Sequence, residues 1–378
     1  METRHKIVIV PALFLGLPRR RLYRIMVLHH HFRELHMHRI YKVIVAALGA
    51  LVLAAAGGAA FAQKTQLLVY TALETDQLKA YADSFNKSEP NIELKWVRDS
   101  TGVITAKVLA EKANPQADVI MGVAATSMMV FDQQGLLLPY KPKGFEKLTR
   151  KYSDPKPVPA WVGMDAWGAT VCFNVVEAAK RGIPRPESWK DLTKAVYKGQ
   201  ITMPAPPSSG TGFLDATAWL QLWGEKEGWK YMDALHENIA QYTHSGSKPC
   251  RQSGAGEFVV GISFEYRAQQ VKKSGAPVML VFPSEGLGWD IEATGIVKTT
   301  KKLEAAKKLL DWIASKEANE LYAGWWQVVA MPGIAKPQPN IPDNYEQLMV
   351  KNDFAWAAKN RDRILTEWQK RYAAKTEK

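Results

Sequence analysis

The chain has 378 residues, 47% of them hydrophobic, enough for two ordinary domains with real cores. Its formal charge of +13 falls to +6 once residues 1–62 are set aside, because they hold 9 of the 50 Lys and Arg and 2 of the 37 Asp and Glu. The remaining lysines are scattered and form no stripe, which disfavours nucleic acid, and only His236 and His244 remain, which disfavours a histidine-rich metal site.

Residues 1–62 read as a leader. Met37-His38-Arg39-Ile40-Tyr41-Lys42 is a short basic start, Val43 to Ala59 is apolar and rich in Ala and Gly, and Ala60-Phe61-Ala62 supplies an A-x-A cleavage site before Gln63. The pattern predicts a cleaved secretory signal peptide. Its alanines and glycines argue against a retained membrane span, and no cysteine at the cleavage point offers a lipid anchor. The 36 residues before Met37 fit no signal peptide, so translation is expected to start at Met37. Export places Cys172 and Cys250 where disulfides are permitted. One bridge and two buried thiols both stay open, since sequence alone cannot place their Cα atoms.

Along the mature chain, Leu67 to Tyr70 is a short apolar strand. Thr71 to Asp76 opens an amphipathic helix to about Asn86, with Leu78, Tyr81, Ala82 and Phe85 at helical spacing. Ile92 to Val97 alternates in polarity as a strand does, Val103 to Ala113 is helical, Asp118 to Val123 is a continuous apolar strand, and Ala125 to Gln133 is a helix closed by Gly135. Trp161 to Asn174 turns to strand and Pro186 to Tyr197 to helix. Ile201 to Met203 is a strand, Leu214 to Trp223 and Trp229 to Asn238 are helices, and the loop Thr243 to Lys248 precedes a helix at Pro249 to Gly256. Strands follow at Val259 to Phe264, Val278 to Phe282 and Ile291 to Val297, with a helix from Tyr266 to Lys273 between the first two. Helices close the chain at Leu303 to Ala314, Glu317 to Tyr322 and about Phe354 to Tyr372, and the proline-rich Pro332 to Asn344 is a stiff connector. This alternation predicts an α/β fold with a mostly parallel, doubly wound sheet.

Two short stretches carry chemistry. Pro207-Ser208-Ser209-Gly210-Thr211-Gly212 stands between a strand and a long helix-like run, and Asp99-Ser100-Thr101-Gly102 stands in the same position about a hundred residues earlier. Unpaired N–H groups and the positive dipole end of a helix attract an anion, glycine lets it approach the backbone, and hydroxyls add donors. An ordinary Ser/Thr N-cap accounts for either stretch alone. Two of them on two lobes would make a clamp.

With Val69-Tyr70-Thr71-Ala72-Leu73-Glu74, Ala117-Asp118-Val119 and Gly261-Ile262-Ser263-Phe264, these stretches and the leader resemble the periplasmic substrate-binding proteins of ABC importers. The likeness covers Gln66 to Tyr372 and is to the branch that includes ferric-iron, thiamine and 2-aminoethylphosphonate binders, with the hydroxyl-rich stretches most similar to the last. It implies a type II two-lobed periplasmic-binding-protein fold with hinge strands, divided as residues 63–165 plus about 294–335, residues 166–293, and a C-terminal helical segment, residues 336–378. It also implies a monomeric periplasmic receptor that delivers its ligand to permease and ATPase subunits, without cofactor or enzymatic activity. The iron-binding members carry a tyrosine pair where this chain has Phe264-Glu265-Tyr266, so ferric iron lacks its oxygen ligands here.

A zwitterion such as 2-aminoethylphosphonate needs an anion subsite and an ammonium subsite. Ser100, Thr101 and Gly102 from one lobe, Ser208, Ser209, Gly210 and Thr211 from the other, and the turn at Ser245 and Ser247 are expected to hold the phosphonate. Glu265, Asp290 and Glu74 are the candidates for the ammonium, with Tyr266, Trp289 and Tyr70 as aromatic walls. Glu265 leads because it follows a strand whose carboxyl end should face the cleft. Catalytic alternatives are thin. No G-K-[ST] completes a P-loop, Ser245-Gly246-Ser247-Lys248 lacks the companion motifs of an S-x-x-K enzyme, and neither His236 nor His244 stands beside a nucleophile.

Overall fold

The computed structural model describes residues 64–378, so the expected leader and its cleavage site lie outside the described residues. The first half begins with strand β1 (Thr65–Thr71), helix α1 (Thr75–Ser88), β2 (Ile92–Arg98), α2 (Thr101–Ala110), β3 (Val119–Ala124), α3 (Ala125–Gln133) and the two-residue β4 (Leu137–Leu138). The long β5 (Val162–Asn174) leads through α4 (Val175–Arg181) to β6 (Ile201–Pro204), α5 (Gly210–Asn238), β7 (Ile239–Thr243), α6 (Lys248–Ala255), β8 (Val260–Phe264), α7 (Glu265–Lys273) and β9 (Val278–Val281). The return strand β10 (Trp289–Val297), α8 (Leu303–Ile313), α9 (Lys316–Tyr322), β11 (Val328–Val329), α10 (Tyr345–Leu348), α11 (Phe354–Lys359) and α12 (Arg361–Tyr372) complete it. Among the described residues no helix is long and apolar enough to cross a membrane.

The strand order is β2-β1-β3-β10-β5-β8-β6-β7. Parallel β1, β2 and β3 form one half, and parallel β6, β7 and β8 form the other. Strand β5 belongs to both. Its Gly168 pairs with Trp289 of β10 and its next residue, Ala169, pairs with Phe264 of β8, so one buried strand passes from the first sheet to the second. All thirteen residues of β5 and all nine of β10 are buried, as strands covered on both faces must be. This is the mixed α/β, two-lobed periplasmic-binding-protein fold, and residues 165 and 293 lie within β5 and β10.

Several elements differ from the sequence reading, each for a local reason. The helix expected at Pro186–Tyr197 is instead two short 3₁₀ turns, at Lys190–Thr193 and Ala195–Tyr197. Side chains take the backbone donors there: Glu285 accepts from the N–H groups of Trp189 and Lys190, and Asp191 from those of Glu187 and Ser188. Helix α4 escaped notice although it is signposted, since the Asn174 side chain accepts from the N–H groups of Val176 and Glu177 at its start and Gly182 closes it at φ 65°. The two helices expected within 214–238 are joined end to end in α5, with the break confined to Gly224 (φ 77°, ψ 158°). The single C-terminal helix is broken at Asn360 into α11 and α12. Cys172 of β5 and Cys250 of α6 form a disulfide with their Cα atoms 5.3 Å apart, which closes the alternative left open by the sequence.

Candidate functional site

The carboxyl ends of β1, β2 and β3 and the start of α2 face the start of α5 and the end of β8 across a cleft that holds about 450 Å³ including its open mouth. Strand ends in open α/β sheets leave such crevices because the connecting loops diverge to opposite faces. The first half contributes Ala72, Glu74, Arg98, Ser100, Thr101, Gly122 and Ala124 to the wall; the second contributes Ser209, Gly210, Thr211, Gly246 and Phe264. Trp167, Glu292 and Trp326 form the inner end.

The two expected anion-holding stretches do come together. Ser100 precedes α2 and Ser209 precedes α5, where its Oγ accepts from the N–H of Gly212. Across the cleft the N–H of Gly102 donates to the carbonyl of Ser208 at 2.9 Å, so the two helix starts touch and the halves are closed on each other. The fit depends on glycine: a Cβ on Gly102 would lie 2.2 Å from the carbonyl oxygen of Pro207, a backbone atom with nowhere to go. First-turn N–H groups have no acceptor within their own helix, and the positive ends of two helices beside one cleft favour a negative charge there. Arg98, at the end of β2, adds a full positive charge to the same wall.

Glu74 lies at the centre of a charge network. Arg98 of its own half stands 3.4 Å away and also donates from Nε to the carbonyl of Leu73 at 3.0 Å. From the other half come the buried Arg267, Arg251 at 3.7 Å and the hydroxyl of Ser247. Three guanidinium groups on one carboxylate leave it no unbalanced charge for an ammonium.

Of the expected contacts, Glu74, Ser100, Thr101, Ser209, Gly210 and Thr211 line the cleft. Gly102 and Ser208 form the bond between the helix starts, and Ser247 reaches Glu74. Ser245 is turned to its own loop, its Oγ accepting from the N–H of Ser247. The structure does not bring the remaining candidates to the cleft wall. The Tyr70 hydroxyl points to Glu111 in a separate small pocket. Tyr266 packs on Trp326, with ring centres 5.1 Å apart, and Trp289 donates from Nε1 to the carbonyl of Val350. Asp290 is buried, accepting from the Thr126 hydroxyl at 2.7 Å and the N–H of Ile291, and burial pushes it up to about 6. Glu265 is fully buried and accepts the N–H of Gly168 at 3.0 Å; burial pushes it up to about 8. The strand end was rightly placed, but α7 begins at Glu265 itself, and its side chain turns back to the β5 crossover instead of outward.

Sequence reasoning missed Arg98, Trp167, Phe264, Glu292 and Trp326. Arg98 was legible, as a cation directly before Asp99-Ser100-Thr101-Gly102. Glu292 and Trp326 were not, because only the return of β10 and the segment after α9 brings them to the inner end. There, burial and the neighbouring Glu74 push Glu292 well above the usual carboxylate range, and burial and Glu292 do the same to Asp165 beside it.

Comparison with known proteins identifies the family and the fold. The profile of the bacterial extracellular solute-binding protein family matches residues 114–356. An uncharacterized protein of Haemophilus influenzae is 31% identical over 314 residues, 81% of this chain and 90% of its own. A probable ABC transporter periplasmic-binding protein of Sinorhizobium fredii is 25% identical over 280 residues, 70% of this chain and 75% of its own. The solved periplasmic binding protein AfuA of Actinobacillus pleuropneumoniae, with exogenous fructose-6-phosphate bound, superposes with a TM-score of 0.76 at 30% identity over 82% of this chain and 99% of its own. At 22% identity over 246 residues, a Salmonella typhimurium periplasmic protein whose name assigns it 2-aminoethylphosphonate covers 63% of this chain and 68% of its own.

Proposed function

Because this chain belongs to the family of bacterial extracellular solute-binding proteins, we propose that it is the periplasmic receptor of an ABC importer for a small compound bearing a phosphate or phosphonate group. One observation carries the substrate: two helix N-termini from opposite halves meet in one cleft, with Arg98 beside them. A dianionic phospho group fits that set of donors, since it accepts from several directions at once. Held by both halves, it binds the closed form better than the open one and shifts the population toward closure. The permease and ATPase partners follow from the ABC-transporter relative, and export to the periplasm from the leader pattern together with the periplasmic relatives.

The sequence points to 2-aminoethylphosphonate, and a relative carries that name. The bound fructose-6-phosphate of AfuA points to a phosphate ester. Both share the group that the cleft is built to hold. Calorimetry of the purified protein with inorganic phosphate, 2-aminoethylphosphonate, fructose-6-phosphate, thiamine and ferric citrate tests the reading. Binding at micromolar concentration is expected for at least one phospho compound and is expected to weaken at least tenfold in Arg98→Met. Binding of ferric citrate or thiamine, with every phospho compound silent, would overturn it.

A further inference from the structure

Residues 375–377 run along the outer edge of β7, the last strand in the order of its sheet. Thr376 bridges Tyr242 in parallel, and the N–H of Glu377 donates to the carbonyl of Tyr242 at 2.8 Å. Lys375 donates from Nζ to the carbonyls of His236 and Ile239 at 2.5 and 2.8 Å, where α5 gives way to β7. These contacts cover a sheet edge and need no further role. The side chain of Glu377 does something else. It reaches past the strand to the turn 244–248, where Oε1 accepts the N–H of His244 at 2.7 Å and Oε2 pairs with Lys248. One carboxylate, 10% exposed, thus holds both ends of a single turn.

That turn belongs to the cleft. Gly246 lines it, pressed so closely on the start of α5 that a Cβ there would lie 2.4 Å from the hydroxyl oxygen of Thr211. Ser247 is buried and donates its hydroxyl across the cleft to Glu74 of the first half. The middle of the turn is held from its own half, since Thr243 donates to the carbonyl of Ser245 at 2.8 Å and Ser263 to that of Gly246 at 2.7 Å. Its ends are held by Glu377. A hydrogen bond to a shielded carboxylate is stronger than a neutral one, so removing this acceptor loosens the turn even where the sheet edge stays covered. We infer that Glu377 is a positioning residue of the receptor: it acts on the ligand through the turn 244–248, by holding Ser247 where it reaches Glu74. The inference rests on this cleft being the ligand site and holds for a ligand of any class.

Hydrogen exchange on the ligand-free protein is the first test. In Glu377→Ala, which keeps the backbone bond to Tyr242, residues 243–248 should exchange at least about tenfold faster than in the wild type, with β6 unchanged and the melting temperature within about 2 °C. Calorimetry is then run with whichever of inorganic phosphate, 2-aminoethylphosphonate, fructose-6-phosphate, thiamine and ferric citrate binds the wild type most tightly. Its affinity should fall about fivefold or more in Glu377→Ala. Glu377→Gln, which keeps an oxygen for the His244 N–H, should recover most of that loss. The loss should also largely vanish in a Ser247→Ala background, because both changes break the same contact to Glu74. A role confined to the sheet edge would instead lower the melting temperature and spare the affinity. Unchanged exchange at 243–248, unchanged affinity, or losses that add in full in the double variant would overturn the inference while the phospho-group reading stands. Binding of ferric citrate or thiamine alone would overturn the phospho-group reading and leave the same variants to decide this one. Silence of the whole panel would also overturn that reading, and the exchange rates would then decide by themselves.

Discussion

Gly102 sets the backbone fit between the two helix starts. Its N–H reaches the carbonyl of Ser208 only because no Cβ stands between α2 and the Pro207–Ser208 backbone. If the helix starts part when the halves open, the clash is confined to the closed form, and Gly102→Ala should leave the ligand-free melting temperature within about 2 °C while lowering affinity for the tightest phospho compound at least tenfold, an energy of about 1.4 kcal/mol or more taken from closure. Differential scanning fluorimetry and calorimetry on the same sample check it, and unchanged affinity would show that the helix starts need not touch.

Glu265 makes a second prediction, of opposite kind. Burial raises its folded pKa to about 8 from an ordinary 4.5, so the neutral form is the one that folding favours. The sign follows from linkage: its contribution is fully present below about pH 4.5 and is lost as pH rises toward 8, at about 1.4 kcal/mol per pH unit within that window. Glu265→Gln, which mimics the neutral acid and keeps an oxygen for the N–H of Gly168, should match the wild type near pH 4.5 and melt higher at pH 8. Parallel melting curves across that range would contradict this assignment. Among the site residues, those found from sequence stand in short local signals: Ser100 and Thr101, or Ser209 to Thr211, sit together at a helix start. Glu292 and Trp326 carry no such signal, standing singly in a mixed strand and an aromatic run until the topology joins them to the cleft.

At the scale of elements, the alternation of strands and helices was readable because β3 is a near-continuous apolar run, β1 carries the apolar stretch Leu67 to Tyr70, and α1 keeps its apolar positions in helical register. What escaped was decided by side chains reaching across the chain. Glu285 removes the helix expected before β6 by accepting two of its backbone donors from nearly a hundred residues away, a contact no local pattern announces. The bridge between β5 and α6 is another such contact, spanning 78 residues. Closing a loop of that length restricts the unfolded chain by about 4 kcal/mol in the chain-entropy account. Reduction of the disulfide, or Cys172→Ala with Cys250→Ala, should therefore lower the unfolding free energy by an amount of that order in denaturant titrations. Coincident transitions for oxidised and reduced protein would show that the bridge adds nothing.

For the molecule as a whole, closure is written into two kinds of contact across the same cleft. One is the pair of helix starts that presents N–H groups to an anion; the other is Glu74, set in the first half and gripped by Arg251, Arg267 and Ser247 of the second. The network around Glu74 ties the two halves together across the cleft, and under the proposed function a phospho group would add a negative partner at the helix starts. Strand β5 runs through both sheets and so connects the halves covalently and by hydrogen bonds. A crystal structure of the protein grown with saturating inorganic phosphate tests this most directly. It should place phosphate in the cleft within hydrogen-bonding reach of first-turn N–H groups of both α2 and α5 and beside Arg98; a phosphate bound to one helix start alone, or lodged elsewhere with the cleft unoccupied, would contradict it.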